Sequence, residues 1–322
     1  MIPSSWLAEA AERISPYIHH TPLTSDEQNG FYLKWENLQI TGSFKARGAL
    51  NKVLSLQSWE RSRGLVAASA GNHGQGVALA GRITNTQVIV FCSEHAVSSK
   101  VDAMRSLGAE VRQVPGGYGE AERAGLAFAK SSGAAWISPY NDGQVIAGQG
   151  TIGLEIQEDL GDIKEAAWIV PTSGGGLISG IGASLVNRAG RPHLIAVQAE
   201  ASAFLHSIFY TGSQQGVPDR PTLADGLSGP VEDGSITIPL VMNMVDGFVL
   251  VSEAEIAQAM AYAWHYYDQR IEGSAAAALA ALLFNKVSDR PAVVIISGGN
   301  IDREIHTRTI EEAGDQPFPI HP

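Results

Sequence analysis

Short apolar runs alternate along the chain with longer segments whose apolar positions recur at helical spacing. Leu65–Ser69, Gln87–Cys92, Glu110–Val114, Ala134–Ser138, Ala167–Pro171, Leu194–Gln198, Phe248–Val251 and Ala292–Ser297 read as strands, and helices fill the intervals. Runs such as Ala292-Val293-Val294-Ile295-Ile296 are apolar throughout rather than alternating, which fits strands of a parallel sheet covered on both faces. The pattern predicts an α/β architecture. Two stretches depart from it. The first 60 residues offer little strand beyond Tyr32–Trp35, and residues 198–247 are rich in Gly, Ser, Pro and Asp, which blurs any domain edge.

Composition narrows the class. With 322 residues, 44% hydrophobic and 17% charged, the chain can bury a large core, as one large domain or two intimate ones. A formal net charge of −11 without a Lys/Arg cluster argues against nucleic acid as a partner. The single cysteine, Cys92, excludes an internal disulfide and a thiolate metal cluster, and its apolar run predicts a buried structural thiol in a reducing compartment. The first 14 residues mix Glu9, Glu12 and Arg13 with apolar residues, unlike a signal peptide. No run approaches the ~20 apolar residues that span a bilayer, so no membrane association and a cytoplasmic location are expected.

Three strands end in small-residue turns, the places where open parallel sheets bind ligands. In Thr172-Ser173-Gly174-Gly175-Gly176-Leu177, backbone N–H groups can converge ahead of a helix over 177–187, making a phosphate cradle or a plain tight turn. A dinucleotide site, with Glu200 as ribose acid, is the rival ligand reading, although Ser179 occupies the last glycine position of that fingerprint. In Ser69-Ala70-Gly71-Asn72-His73-Gly74, Asn72 reads either as an N-cap for a helix over 74–82 or as an amide facing a ring oxygen, while the closely spaced N–H groups suit a carboxylate. His73 by itself reads equally as a structural histidine. Ser297, before Gly298-Gly299-Asn300, is either a strand-ending hydroxyl or a neutral partner for a ring nitrogen.

Lys45 follows a Thr41-Gly42-Ser43 turn at the start of a helix. Most lysines are solvated surface charges. Here the helix N-terminus and the apolar Phe44 disfavour the ammonium, and a lowered pKa is what an imine-forming amine needs.

The segments Glu36-Asn37-Leu38-Gln39 and Gly42-Ser43-Phe44-Lys45-Ala46-Arg47-Gly48-Ala49 resemble the Schiff-base signature of the fold-type II pyridoxal 5'-phosphate (PLP) enzymes, the tryptophan synthase β-like family, and within it the threonine/serine dehydratases, or ammonia-lyases. The resemblance spans nearly the whole chain and extends to Val145–Ile152, Leu223–Leu227 and Glu272–Ala275. It implies two intimate domains, each with a twisted, mainly parallel sheet flanked by helices: residues 1–64 plus 143–322 as the large cofactor-binding domain, and 65–142 as the small one. It further implies that Lys45 carries the cofactor, with Phe44 packing on the ring and Asn72 contacting its ring oxygen. Ser173, Gly174, Gly175, Gly176 and Leu177 would hold the phosphate, departing from a tetraglycine loop at Ser173. Gly226 and Glu272 would lie near the ring, Ser297 against its nitrogen, and Ser69, Ala70, Gly71, Asn72 and His73 around the substrate carboxylate.

Within the family, racemases place a serine where this chain has Ala70, so elimination is expected over racemisation. Gln198 and Phe204 stand where some members use carboxylates to hold a divalent cation, so no tight Mg²⁺ or Ca²⁺ site is expected. The chain ends near Pro322, where the catalytic unit does, and a C-terminal regulatory domain under isoleucine control is not expected. The implied activity is elimination from a β-hydroxy amino acid, threonine or serine first, to a 2-oxo acid and ammonia, by a homodimer or homotetramer. The alternatives are 3-hydroxyaspartate or another specialised substrate, racemisation or β-replacement on the same cofactor, a nicotinamide-dependent dehydrogenase, and a noncatalytic binding protein.

Overall fold

The computed structural model describes residues 1–314 except Asp162 and Asn187. Among the described residues ten strands form two sheets: β1 (Leu23–Asp26), β2 (Phe31–Trp35), β3 (Leu65–Ala68), β4 (Val88–Ser93), β5 (Glu110–Val114), β6 (Ala135–Trp136), β7 (Ala167–Pro171), β8 (His193–Ala199), β9 (Gly247–Val251) and β10 (Ala292–Ile296). The larger sheet runs β1-β2-β10-β7-β8-β9 and the smaller β5-β4-β3-β6. All neighbours are parallel except β1 and β2, an antiparallel edge pair. β1 is absent from the sequence expectation because Leu-Thr-Ser-Asp has neither an apolar run nor clean alternation.

The central strands are buried on both sides, as their composition requires. On one face of the larger sheet Ala167, Ile169, Val294 and Ile296 meet the helix Gly273–Leu283, which is buried along its whole length. Its alanines allow that close seating. On the other face Trp168, Val170, Val293 and Ile295 pack with the helices Gly143–Leu160 and Gly176–Leu185. The expected helix end at Asn187 lies outside the described residues. In the smaller sheet Leu65, Ala67, Val88, Val90 and the buried Cys92 face the helix Asn72–Thr84, while Val66, Ala68, Ile89 and Phe91 face the helix Tyr118–Ser132.

The helix Lys45–Ser55 buries Ala46, Ala49, Leu50 and Val53 in the smaller sheet's core and also crosses Gly143–Leu160 at very short range. A Cβ at Gly148 would lie 2.7 Å from the Arg47 carbonyl oxygen, and one at Gly48 would collide with the Gln149 side chain. The glycines of Arg47-Gly48-Ala49 and Ala147-Gly148-Gln149 therefore serve this crossing. Beside it, Arg47 is fully buried with both nitrogen edges engaged: Nε and Nη2 donate to Glu36 at 2.7 and 2.8 Å, Nη1 and Nη2 to Glu155 at 2.6 and 2.9 Å. The buried Lys34 adds a bridge to Glu155 at 2.8 Å. A charge cluster this deep is tolerable only because every member is paired, and it anchors the turn that presents Lys45.

Candidate active site

Lys45 is the first residue of its helix, and two backbone links set its position. The Phe44 N–H donates to the Ser297 carbonyl at 3.1 Å, and Ser43 bridges Gly298, so the lysine turn is sewn to the exit of β10. Gly42 has φ +71, and a Cβ there would lie 2.5 Å from Asn300 Oδ1. The Lys45 ammonium, half-buried, donates to the Pro139 carbonyl at 2.9 Å and sits 5.2 Å from the Phe44 ring centroid. Burial lowers its pKa to about 8, against the opposing pull of Glu272. An amine so shifted is uncharged in a useful fraction near neutral pH.

After β7, the residues Ser173–Gly175 turn into the helix Gly176–Leu185. Gly175 has φ +87, a conformation that L side chains rarely adopt. The Gly174 carbonyl accepts from Thr237 Oγ1 at 2.6 Å, and a Cβ at Gly174 would lie 2.6 Å from the Tyr140 ring. The first N–H groups of a helix have no intrahelical acceptor and form a ready anion site. Leu177 offers only its backbone, because its side chain belongs to the core.

The turn after β3 places Gly71 at the N-cap, so Asn72 is the first helical residue and not the cap; its side chain is used elsewhere. Asn72 Nδ2 donates to Glu272 Oε1 at 2.8 Å, and Asn72 Oδ1 accepts from Asn300 Nδ2 at 2.7 Å, which also donates to the Thr41 carbonyl at 2.7 Å. This relay joins the lysine turn, the small sheet and the β10 exit. Ser69 Oγ accepts from the Gly71 N–H at 3.1 Å. His73 turns its ring into the body, Nε2 contacting the Ile137 carbonyl at 2.8 Å, and burial followed by the nearby Lys45 charge lowers its pKa to about 3. It is a neutral anchor for the turn. Glu272, whose N–H meets the Gly298 carbonyl at 3.1 Å, is held up at a pKa of about 7 by burial and by Asp225, against the pull of Lys100 and Asn72. Gly226, at the exposed rim, donates its N–H to Ser274 Oγ at 2.9 Å.

Lys45, Phe44, Asn72, Glu272 and Ser297 thus converge, and the Ser173–Leu177 turn joins them through Pro139 and Tyr140. Neither of these last two stood out in the sequence. Their signal was position: Ser138-Pro139-Tyr140-Asn141 follows the carboxyl end of β6, where ligands gather. Glu200, the dinucleotide candidate, is exposed. Gln198 accepts the His206 N–H at 2.6 Å, and Phe204 is a core residue.

The arrangement supplies an amine of lowered pKa, a glycine cradle at a helix N-terminus, and a serine at a strand exit. These features fit an aldehyde-bearing aromatic cofactor with a phosphate arm, and pyridoxal phosphate has all three matching groups. The model of the family described as pyridoxal-phosphate dependent enzyme matches residues 9–298. An L-threonine ammonia-lyase of Thermotoga maritima is 41% identical over 320 residues, covering 97% of this chain and 79% of the relative. One of Geobacter sulfurreducens is 39% identical, with 94% and 76% covered. Among solved structures, maize serine racemase superimposes with a TM-score of 0.88 at 30% identity, covering 96% of each chain. The processed form of threonine deaminase isoform 2 from Solanum lycopersicum gives 0.86 at 31%, covering 98% of this chain and 95% of that one. The dehydrogenase alternative is thereby displaced, and the chain belongs to the pyridoxal-phosphate dependent enzymes.

Proposed function

We propose that the protein removes the β-hydroxyl and the amino group of a β-hydroxy amino acid, L-threonine or L-serine, giving a 2-oxo acid and ammonia. The observation that carries this reading is Lys45, a half-buried amine with its pKa lowered to about 8, seated among the phosphate turn, the Ser69–His73 turn and Ser297. The relatives called threonine ammonia-lyase and threonine deaminase support it.

When bound, pyridoxal phosphate draws electrons from the amino acid's Cα and makes its proton acidic. The chain's residues do the rest. Ser173, Gly174, Gly175, Gly176 and Leu177 hold the phosphate through backbone N–H groups and the Ser173 hydroxyl. The N–H groups of Ser69–His73 would hold the substrate carboxylate, Phe44 would pack on the ring, and Asn72, Gly226 and Glu272 would border it. Ser297 would offer a neutral hydroxyl to the ring nitrogen, a partner that does not require that nitrogen to be protonated. Lys45, once its amine is free, takes the Cα proton and can return it to the departing hydroxyl, which leaves as water. Hydrolysis of the released enamine yields the 2-oxo acid and ammonia. Ala70 carries no proton to deliver on the opposite face, which disfavours racemisation.

The division into 1–64 plus 143–322 and 65–142 belongs to this proposal and is supported by the two sheets. So do a cytoplasmic location and a homodimeric or homotetrameric state, which rest on the family resemblance; among the described residues no helix is long and apolar enough to cross a membrane. A panel of L-threonine, L-serine and 3-hydroxyaspartate, scored for 2-oxo acid and ammonia, tests the reading. Release from threonine or serine supports it, and silence on both moves the assignment to a specialised substrate.

A further inference from the structure

Lys100 lies on the helix Ser98–Ser106, which follows β4 of the smaller sheet. Its Nζ is 2.8 Å from Asp225 Oδ2, on the turn Asp225–Leu227 that belongs to the other side of the site. The pair spans 125 residues of sequence. The Lys100 stem runs over the Ser69–His73 turn: a Cβ built on Gly71 would be 3.6 Å from Lys100 Cδ and 3.9 Å from Nζ. The two partners differ in exposure, 21% for the Lys100 side chain and 61% for Asp225. An exposed carboxylate is readily resolvated, whereas a largely buried ammonium that loses its partner needs another anion. The groups that face it are Asp225 and Glu272, both acidic.

We propose that Lys100 is a substrate-binding residue whose ammonium leaves Asp225 and pairs with the carboxylate of the incoming amino acid as that carboxylate settles on the Ser69–His73 turn. The proposal rests on the assignment of that turn to the substrate carboxylate. Neutral N–H groups orient a carboxylate, but a nearby cation strengthens its hold and compensates for removing it from water. The Lys100 stem lies at ordinary van der Waals distance from where a Cβ on Gly71 would stand, so the ammonium needs only a side-chain rotation to reach a carboxylate on that turn. Asp225 then acts as a placeholder that keeps the ammonium paired between turnovers.

The test uses the holoenzyme and the variants Lys100→Gln, Lys100→Arg and Asp225→Asn. Two readouts are taken: the cofactor absorbance titrated with L-alanine, which binds without a hydroxyl to lose, and steady-state turnover of L-threonine. Losing one charge-assisted hydrogen bond should weaken L-alanine binding and raise KM roughly ten-fold or more in Lys100→Gln. Because the contact persists through the reaction, kcat should change by less than about three-fold. Lys100→Arg should recover most of the loss, and Asp225→Asn should bind at least as tightly as the parent. Unchanged L-alanine binding in Lys100→Gln overturns the proposal, as does loss of the cofactor absorbance before any ligand is added. If the parent binds L-alanine but releases no 2-oxo acid from any β-hydroxy amino acid, the elimination reading fails while the role of Lys100 is still decided by the titration.

Discussion

The Lys45 ammonium donates to the Pro139 carbonyl at 2.9 Å, and the next residue, Tyr140, lays its ring against Gly174 and its Cβ and backbone against Gly176. One strand exit therefore holds the Lys45 amine and shapes the glycine turn proposed to take the phosphate. The spacing between the amine and the glycine turn is set by this one segment, held further by Tyr140 Oη accepting the Glu232 N–H at 2.9 Å and by Asn141 Nδ2 donating to Glu232 at 2.8 Å.

The first expectation concerns how fast cofactor-free protein takes up pyridoxal phosphate. Imine formation needs the uncharged amine, and burial lowers the Lys45 pKa to about 8. The uptake rate should rise between pH 7 and 9 with a midpoint near 8. Stopped-flow absorbance checks this, and a midpoint close to the ordinary lysine value of about 10.4 would show that the amine is not perturbed.

A second expectation addresses the cradle. Gly174→Ala places a Cβ 2.6 Å from the Tyr140 ring, too close to be absorbed without displacing the ring or the turn. Affinity for pyridoxal phosphate should fall at least ten-fold with modest loss of fold stability, on the order of 1–3 kcal/mol for an overpacked site. Equilibrium dialysis and urea unfolding separate the two effects.

A third expectation concerns the support beneath Lys45. Arg47→Met leaves Glu36 and Glu155 facing each other in the interior, with only Lys34 beside Glu155. Breaking a buried pair in this way costs about 3–5 kcal/mol. Denaturant unfolding of the cofactor-free protein should show that loss, and a change below about 1 kcal/mol would mean that the cluster is not coupled to stability.

Much of the fold was legible because β3, β7 and β10 are buried on both faces and so are apolar without interruption. β1 was not, since an edge strand of Leu-Thr-Ser-Asp is stabilised by pairing with β2 rather than by its own burial. The glycine turns were legible through their spacing after strands, and Lys45 through its turn and its resemblance. Local pattern offers Asn72 as a cap or a ring contact, and its relay through Asn300 to Thr41 is a tertiary fact invisible to that pattern. Pro139, Tyr140 and Lys100 were missed for the same reason: Lys45 and Pro139 lie 94 residues apart, and Lys100 and Asp225 lie 125 apart. Pairings at such separation depend on how the two sheets meet, which periodicity does not encode.

In the proposed reaction Lys45 moves the proton that lets water leave a β-hydroxy amino acid. The most direct measurement incubates L-threonine with the parent holoenzyme and with Lys45→Ala supplied with pyridoxal phosphate, quantifying 2-oxobutanoate and ammonia together. One 2-oxobutanoate per ammonia from the parent, and a loss of several orders of magnitude in the variant, is the predicted result. Full turnover by Lys45→Ala, or conversion of threonine to a stereoisomer with no 2-oxobutanoate, would rule out Lys45-driven elimination.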